Sequence, residues 1–192
     1  MQTTPAEDRK AALRRELLRR RVAMSASERS RMSAAAAALV LGLDAYRAAR
    51  AVLAYRPLGA EVDPGAVVAD ALSSSKRVYY PRVMGEGLEF VAGDGEPTEP
   101  WRAAETASGE PPAVVLIPGV GFDLRGGRLG RGGGHYDRAL AALHRTVRIG
   151  IAYEAQIVPE VPRDPWDVPM HCIVTEARVV AVDPRVLEEN GA

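Results

Sequence analysis

The chain has 192 residues, of which 25 are basic and 25 acidic, so its formal net charge is zero. A neutral chain lacks the basic field that attracts nucleic acids or anionic membranes, so we expect neither as a partner. Cys172 is the single cysteine, which excludes an intramolecular disulfide and a cysteine-rich metal site. The N-terminus is polar, unlike a secretory signal, and no apolar stretch approaches the roughly 20 residues that span a bilayer. These features predict a cytoplasmic protein.

The N-terminal part of the chain predicts two helices. Leucines recur at helical spacing within residues 8–24, with arginines on the other faces. Ser25 and Glu28 form the S-x-x-E pattern of a capping box, which begins a second helix that runs to about Leu43. Residues 1–7 are expected to be a flexible tail.

Short apolar segments alternate with helices in the rest of the chain. Predicted strands cover residues 51–55, 78–80, 88–91, 114–117, 147–152, 173–175 and 179–182, and predicted helices cover 64–72 and 137–144. This alternation is typical of an α/β domain with a mostly parallel sheet, which binds ligands beyond the carboxyl ends of its strands. Residues 93–112 predict a long surface loop. We expect a single domain over 8–183 and a second flexible tail at 184–192.

Residues 118–138 are the most informative segment and read PGVGFDLRGGRLGRGGGHYDR. Eight glycines surround Arg125, Arg128 and Arg131 just after a predicted strand. Glycine lets backbone N–H groups approach a ligand closely, and guanidinium forks bind phosphate or carboxylate. We therefore expect a polyphosphate-binding loop, with a flexible hairpin-like connection as the alternative. The segment is neither a Walker A element nor a G-x-G-x-x-G dinucleotide fingerprint.

Charged residues elsewhere add candidate ligands. Lys10 and Arg14 lie one helical turn apart and can face one ligand, with a solvated charged face as the alternative. Asp137 is either a helix cap or a Mg²⁺ ligand, because Mg²⁺ that bridges phosphates commonly takes one or two protein carboxylates. Glu61 and Asp63 follow a predicted strand, where an acidic side chain is either an ordinary exposed group or part of the pocket.

Ordered segments from Lys10 to about Glu176 together resemble the 5-formyltetrahydrofolate cyclo-ligase (5,10-methenyltetrahydrofolate synthetase) family. The most specific of them is RLGRGGGxYDR at residues 128–138. The other matching segments are Lys10-x-x-Leu13-Arg14, residues 27–29 with Ser33, 55–58, 61–63, 81–83, Glu99-Pro100, Phe122-Asp123, Gln156, Val158 and Asp167-Val168.

The resemblance implies a fold and a reaction. The fold is an open three-layer α/β sandwich with a mostly parallel sheet, similar to the ribose-phosphate isomerase and CoA-transferase type. The reaction uses ATP and Mg²⁺ to convert 5-formyltetrahydrofolate to 5,10-methenyltetrahydrofolate, with release of ADP and phosphate. In the family mechanism the formyl oxygen attacks the γ-phosphorus of ATP to give a phosphorylated imidate. Nitrogen N10 of the folate then closes the ring as phosphate leaves.

Nucleotide and metal contacts are also implied by the resemblance. Lys10 and Arg14 would hold the ATP phosphates, and Asp137 would bind Mg²⁺. The second metal position is left open between Asp167, water and a site that uses Asp137 alone. The residues that would wrap the nucleotide are Arg128, Leu129, Gly130, Arg131, Gly132, Gly133, Gly134, His135 and Tyr136.

Folate binding and catalysis are implied for the same region. Glu61, Arg131 and Tyr136 would be the catalytic residues. The folate contacts would be Glu61, Arg131, Gly132, Gly133, Gly134 and His135. The protein is expected to be a monomer, and a dimer is left open.

The chain departs from the family pattern near the metal and folate sites. His135 stands where many members carry Tyr, and the usual His-Asp pair reads Trp166-Asp167. Counting back from Thr175-Glu176, a second family carboxylate falls at His171, whose imidazole is a poor Mg²⁺ ligand.

These departures leave alternatives open. One is an enzyme of the same fold that acts on another formylated or carboxylated substrate. Another is a folate- or nucleotide-binding protein without catalysis. A nucleic-acid-binding module, suggested by the basic residues between Arg9 and Arg31, is disfavoured by the zero net charge.

Overall fold

The computed structural model of the protein describes residues 5–85, 87–93, 113–143 and 146–186. The helices are α1 (Pro5–Ala23), α2 (Ala26–Leu41), α3 (Asp44–Ala48), α4 (Gly65–Ser73) and α5 (His135–Ala142). The strands are β1 (Ala51–Leu53), β2 (Arg77–Met84), β3 (Gly87–Ala92), β4 (Ala113–Pro118), β5 (Gly121–Asp123), β6 (Arg128–Leu129), β7 (Thr146–Ile151), β8 (Ile157–Val158), β9 (Cys172–Val174) and β10 (Val179–Ala181). Short 3-10 turns cover Glu154–Gln156 and Pro184–Val186.

Seven strands form the main sheet in the order β10-β9-β7-β4-β1-β2-β3. The five inner strands run parallel, whereas the edge strands β10 and β3 are antiparallel to their neighbours. The predicted mostly parallel α/β sheet is therefore confirmed. Its inner strands are apolar because both faces are covered, and Val52 and Val114 are completely buried.

The core lies on both faces of this sheet. On one face, Val40 of α2 and Val67 of α4 share a buried cluster with Val52. On the other face, Leu140 of α5 belongs to a second cluster with Phe122. The layers of helix, sheet and helix agree with the sandwich that the resemblance implies.

Ser25 caps α2 as the sequence predicts. The Glu28 N–H donates to the Ser25 Oγ atom (3.2 Å), and the Ser25 N–H donates to the Glu28 carboxylate (2.8 Å). The preceding helix α1 begins at Pro5, earlier than the predicted residue 8. Proline suits a first helical turn because its missing N–H would have no partner within the helix.

α5 begins at His135, also earlier than predicted. Its N-cap is Gly134, whose left-handed φ of 63° is rarely adopted by a residue with a side chain. Asp137 consequently lies in the first turn of α5. The interpretation of Asp137 as the helix cap is therefore wrong.

A second sheet, with the order β6-β5-β8, is absent from the sequence prediction. β5 and β6 form an antiparallel hairpin in which Phe122 lies opposite Arg128. The turn between them contains Gly126 at a φ of 80°. The first half of the glycine-rich segment is thus a hairpin, and only residues 130–134 form an open connection to α5.

Some of the sequence predictions lie outside the described residues. They concern the expected surface loop beyond Gly93, including Glu99-Pro100 and Trp101, and the chain beyond Val186. The division into one domain and two tails stays a prediction. Within the described ranges, no helix is both long and apolar enough to cross a membrane.

Candidate active site

A cavity of about 730 Å³ lies where β1 and β4 end. Its wall combines α1, the loop after β1, the β2–β3 hairpin, residues 128–137 and the turn at 164–167. A parallel sheet opens for ligands at this edge because the connections that follow its strands diverge there. The residues that the family resemblance assigns to the site all line the cavity, namely Lys10, Arg14, Glu61, Arg128, Leu129, Gly130, Arg131, Gly132, Gly133, Gly134, His135, Tyr136, Asp137 and Asp167, whereas Asp63 does not.

Lys10 is enclosed by two carboxylates. Its Nζ atom lies 2.6 Å from Asp164 Oδ2 and 3.1 Å from Asp167 Oδ2, and its side chain is 12% exposed. Burial by itself would lower the pKa of Lys10, but the hydrogen bonds and negative charges of Asp164 and Asp167 outweigh it and raise the pKa. Lys10 is therefore a fixed positive charge at the cavity wall.

Arg14 follows one helical turn later on the same face of α1. Its Nε atom donates to the carbonyl of Gly130 (2.8 Å), which fastens the glycine-rich connection to the helix. Gly132 has a φ of 107°, a conformation that favours glycine. Among the described residues, no hydrogen bond engages the N–H groups of Gly132 and Gly133. These donors suit an anion in the cavity.

Arg128 and Asp137 form an enclosed ion pair. The Arg128 Nη2 atom lies 2.8 Å from Asp137 Oδ1, and the Arg128 side chain is only 5% exposed. The guanidinium also lies 5.5 Å from the centre of the Tyr136 ring. Its buried Nε atom has no hydrogen-bond partner in the described part of the chain. Burial raises the pKa of Tyr136, against the opposing effect of the Arg128 charge.

Glu61 is held in place from two sides. Its Oε1 atom accepts from Arg131 Nη2 (2.8 Å) and Nε (3.1 Å), and its Oε2 atom accepts from the Leu58 N–H (2.9 Å). The Glu61 side chain is 6% exposed, whereas Arg131 is 52% exposed. The carboxylate is therefore fixed, and its guanidinium partner lies on the open side of the cavity.

One sequence-based interpretation is wrong, and the departure at His171 lies outside the cavity wall. Arg125 does not line the cavity with the other two arginines, because it pairs with exposed Glu160 (2.9 Å) at the hairpin turn. His171 does not line it either, because the strand pairing places it beside β7, where its Nδ1 atom accepts from the Arg148 N–H (3.0 Å). The acidic side chains that this part of the chain brings to the cavity are Asp164 and Asp167.

Asp123 is a structural residue that the motif analysis leaves without a role. It is completely buried and accepts hydrogen bonds from the N–H groups of Arg125, Gly127 and Val161 and from Arg163 Nη2, each at 2.9 Å. Burial by itself would raise the pKa of Asp123, but these hydrogen bonds outweigh it and lower the pKa. Asp123 thus anchors the hairpin that presents the glycine-rich connection.

Several residues of the cavity wall lie outside the candidate set, among them Arg56, Asp164 and Trp166. The Arg56 guanidinium lies 4.4 Å from the centre of the Tyr80 ring. Arg56 lies within a segment that carries the family resemblance, and Trp166 directly precedes another, so their positions in the sequence were a signal for both. Asp164 lies in neither segment, and only the folded structure brings it to the cavity.

The acidic side chains suit a magnesium ion shared with phosphates. Within the described residues, no three His, Cys, Asp or Glu side chains are grouped as a complete metal site. Hydrogen bonds engage Oδ1 of Asp137 and Oδ2 of Asp167, so the second oxygen of each carboxylate can serve as a ligand. Mg²⁺ typically takes one or two carboxylates together with phosphate oxygens and water, so this donor set fits it.

Known proteins resemble this chain over most of its length. The family model for the 5-formyltetrahydrofolate cyclo-ligase family matches residues 6–176. The chain is 33% identical to the 5-formyltetrahydrofolate cyclo-ligase of Mycolicibacterium smegmatis, over 67% of this chain and 75% of that protein. It is also 33% identical to the enzyme of that name from Mycoplasma pneumoniae, over 87% and 98% of the two chains.

A solved structure shows the same fold. The NMR structure of Aquifex aeolicus 5,10-methenyltetrahydrofolate synthetase superimposes with a TM-score of 0.76 at 30% identity, covering 90% of this chain and 92% of the other. The family match, the identities and the fold agree with one another. The chain therefore belongs to the 5-formyltetrahydrofolate cyclo-ligase family.

Proposed function

We propose that this protein converts 5-formyltetrahydrofolate to 5,10-methenyltetrahydrofolate in a Mg²⁺-dependent reaction that consumes ATP and releases ADP and phosphate. The observation that carries the proposal is the composition of one cavity. Lys10 and Arg14 lie on one side of the glycine-rich connection, and Glu61 lies on the other. Cations that can bind an anionic ligand thus lie next to a carboxylate that can accept hydrogen bonds from N–H donors.

The triphosphate is bound by the cations on the side of the cavity that contains Lys10 and Arg14. Lys10 and Arg128 neutralise Asp167 and Asp137 in this structure, and Arg14 donates to a backbone carbonyl. Phosphate oxygens are stronger acceptors for these groups than a carbonyl, and guanidinium forks match their geometry. The N–H groups of residues 132–133 add donors at the same place.

Asp137 and Asp167 would hold Mg²⁺ at the cavity wall. The ion would supply charge neutralisation for the phosphoryl group that is transferred. The ion pairs Arg128–Asp137 and Lys10–Asp167 hold both carboxylates in place beside the cations. This arrangement supplies positioning and electrostatic stabilisation, which account for most phosphoryl-transfer catalysis.

The folate occupies the Glu61 side. The fixed carboxylate accepts N–H donors of the pterin ring, which orients the formyl group towards Arg131 and residues 132–135. The formyl oxygen attacks the γ-phosphorus, and the bond to the bridging oxygen breaks as ADP leaves. Nitrogen N10 then attacks the formyl carbon, loses its proton, and expels phosphate. Arg131 stabilises the negative charge on the phosphoryl group, and the Tyr136 ring packs against the Arg128 guanidinium.

Absorbance of the methenyl product tests this proposal directly. Purified protein is incubated with 5-formyltetrahydrofolate, ATP and Mg²⁺, and Arg131→Ala is compared with Arg125→Ala. We expect Arg131→Ala to lower kcat/KM about 10²- to 10³-fold. Arg125→Ala is the matched control, because it comes from the same segment but lies outside the cavity, and it should stay within about twofold.

Failure of the assay separates the alternatives. ATP binding without product would favour an enzyme of this fold with another formylated or carboxylated substrate. Tight binding of both ligands without ADP release would indicate a regulatory binding protein. Equal activity of the two arginine variants would remove the proposed role of Arg131.

A further inference from the structure

Trp166 is a large apolar side chain that stays exposed on the wall of the cavity. It is 70% exposed and lies on the turn at residues 164–167. An indole gains free energy when its faces are covered, so one that is exposed on the wall of a cavity suits a ligand with an apolar face.

The turn that carries Trp166 is held rigidly. The Asp167 N–H donates to the Asp164 carbonyl (3.1 Å), and the Asp164 N–H donates to Asp167 Oδ2 (2.8 Å). Lys10 then ties both carboxylates to α1. The indole is therefore presented on a fixed backbone, which lowers the entropy cost of covering it with a ligand.

A series of contacts connects the turn of Trp166 with Glu61 along the cavity wall. Lys10 contacts the turn of Trp166, and Arg14 reaches the glycine-rich connection one helical turn further along α1. Arg131, in that connection, contacts Glu61. In this series of contacts, Lys10 and Arg14 come between the turn of Trp166 and the fixed carboxylate.

The Glu61 side has its own apolar surface. Leu58 follows β1, and Pro81, Val83 and Leu88 come from the β2–β3 hairpin, all on the cavity wall. Leu58 and Val83 are 59% and 62% exposed, so this surface is available to a flat ring. The folate therefore does not need the indole on the far side of the cations.

The other aromatic rings of the wall are covered. Tyr55 is 3% exposed, and the Arg128 guanidinium lies over the Tyr136 ring. A base bound at the Lys10 end would find Trp166 as the large open aromatic face among the described residues.

We propose that Trp166 is a nucleobase-binding residue, on which the adenine of ATP stacks while Lys10 and Arg14 hold the phosphates. The inference rests on the proposed function, which puts a triphosphate in the middle of the cavity. With its γ-phosphate directed towards Glu61, the triphosphate leaves its base at the opposite end, beside the turn of Trp166. Stacking of this kind accepts any flat base and adds affinity without reading hydrogen bonds.

Tryptophan fluorescence tests the contact independently of catalysis. The chain has two tryptophans, Trp101 and Trp166, so Trp101→Phe leaves the indole of interest as the single reporter. We expect ATP to change its emission at saturation, and inorganic tripolyphosphate, which has no base, to leave the emission unchanged.

Calorimetric titration of ATP and tripolyphosphate then measures the contribution of the base. Trp166→Ala should weaken ATP binding about 5- to 100-fold and leave tripolyphosphate binding unchanged, whereas Trp166→Phe should keep most of the ATP affinity. Leu72→Ala is the matched control, because Leu72 is 60% exposed on α4 away from the cavity. It should change neither the ATP affinity nor the tripolyphosphate affinity.

Two results would overturn the inference. One is an unchanged ratio of ATP to tripolyphosphate affinity in Trp166→Ala, and the other is a loss of formyl folate affinity in place of ATP affinity. Either result, together with normal product formation by the wild-type protein, would refute the stacking role and leave the proposed function standing. A wild-type protein that binds neither phosphate compound would refute both.

Discussion

The two sides of the cavity enclose opposite charges. On the Lys10 side the cation is covered, with 12% of its side chain exposed, and its partners Asp164 and Asp167 are 35% and 17% exposed. On the Glu61 side the anion is covered at 6%, and its partner Arg131 is 52% exposed. One side thus keeps a buried positive charge and the other a buried negative charge.

This difference indicates which ligand each side can accept. An anion at Lys10 meets a cation that stays in place between two carboxylates, so a polyphosphate that binds together with Mg²⁺ is suitable. A ligand at Glu61 has only to displace the exposed Arg131, because the Leu58 N–H continues to hold the carboxylate. An uncharged ring with N–H donors suits that side.

Asp123→Ala should have the largest effect, because it disrupts the hairpin that both sides share. Removing a buried carboxylate with four donors should lower the free energy of unfolding by about 3–5 kcal/mol, as measured by urea denaturation. Asp123→Asn keeps one side-chain oxygen and the shape of the side chain but not its charge. Its free energy of unfolding should therefore lie between those of the wild type and Asp123→Ala. A loss below about 1 kcal/mol for Asp123→Ala would show that the hairpin does not depend on this anchor.

Lys10→Ala should affect only the nucleotide side. Without the enclosed ammonium we expect kcat/KM for ATP to fall about 10²- to 10³-fold in steady-state kinetics, while KM for the formyl folate stays within about threefold. Arg9→Ala is the control, because Arg9 is exposed and lies outside the cavity, and it should leave both kinetic parameters unchanged. Equal losses for both substrates would contradict the separation of the two sides.

Glu61→Gln should have the smallest effect of the three and act on the opposite side. A charged acceptor contributes about 1.5–3 kcal/mol, so kcat/KM for the formyl folate should fall about 10- to 150-fold with little change in ATP affinity. Asp63→Asn is the control, because Asp63 is exposed off the cavity and its Oδ1 atom accepts from the Gly65 N–H (2.8 Å). If ATP affinity fell instead, the assignment of the two sides would be reversed.

Local pattern was sufficient for much of the fold. The strands at 51–55 and 114–117, the cap at Ser25 and the mostly parallel sheet follow from apolar periodicity and from side chains that bond to nearby backbone. The β5–β6 hairpin was not predicted, because its strands are only two or three residues long and depend on Asp123, which reaches Val161 across the fold.

The sequence by itself determined the family pattern and the set of side chains that could serve a site, because motif spacing and residue chemistry are local properties. Only the tertiary structure decided which members of that set meet. It separated Arg125 from Arg128 and Arg131, brought Asp167 rather than His171 to the cavity, and joined Lys10 to Asp164 across 154 residues. The physical reason is that such contacts depend on how the sheet and helices pack, and no spacing along the chain encodes that distance.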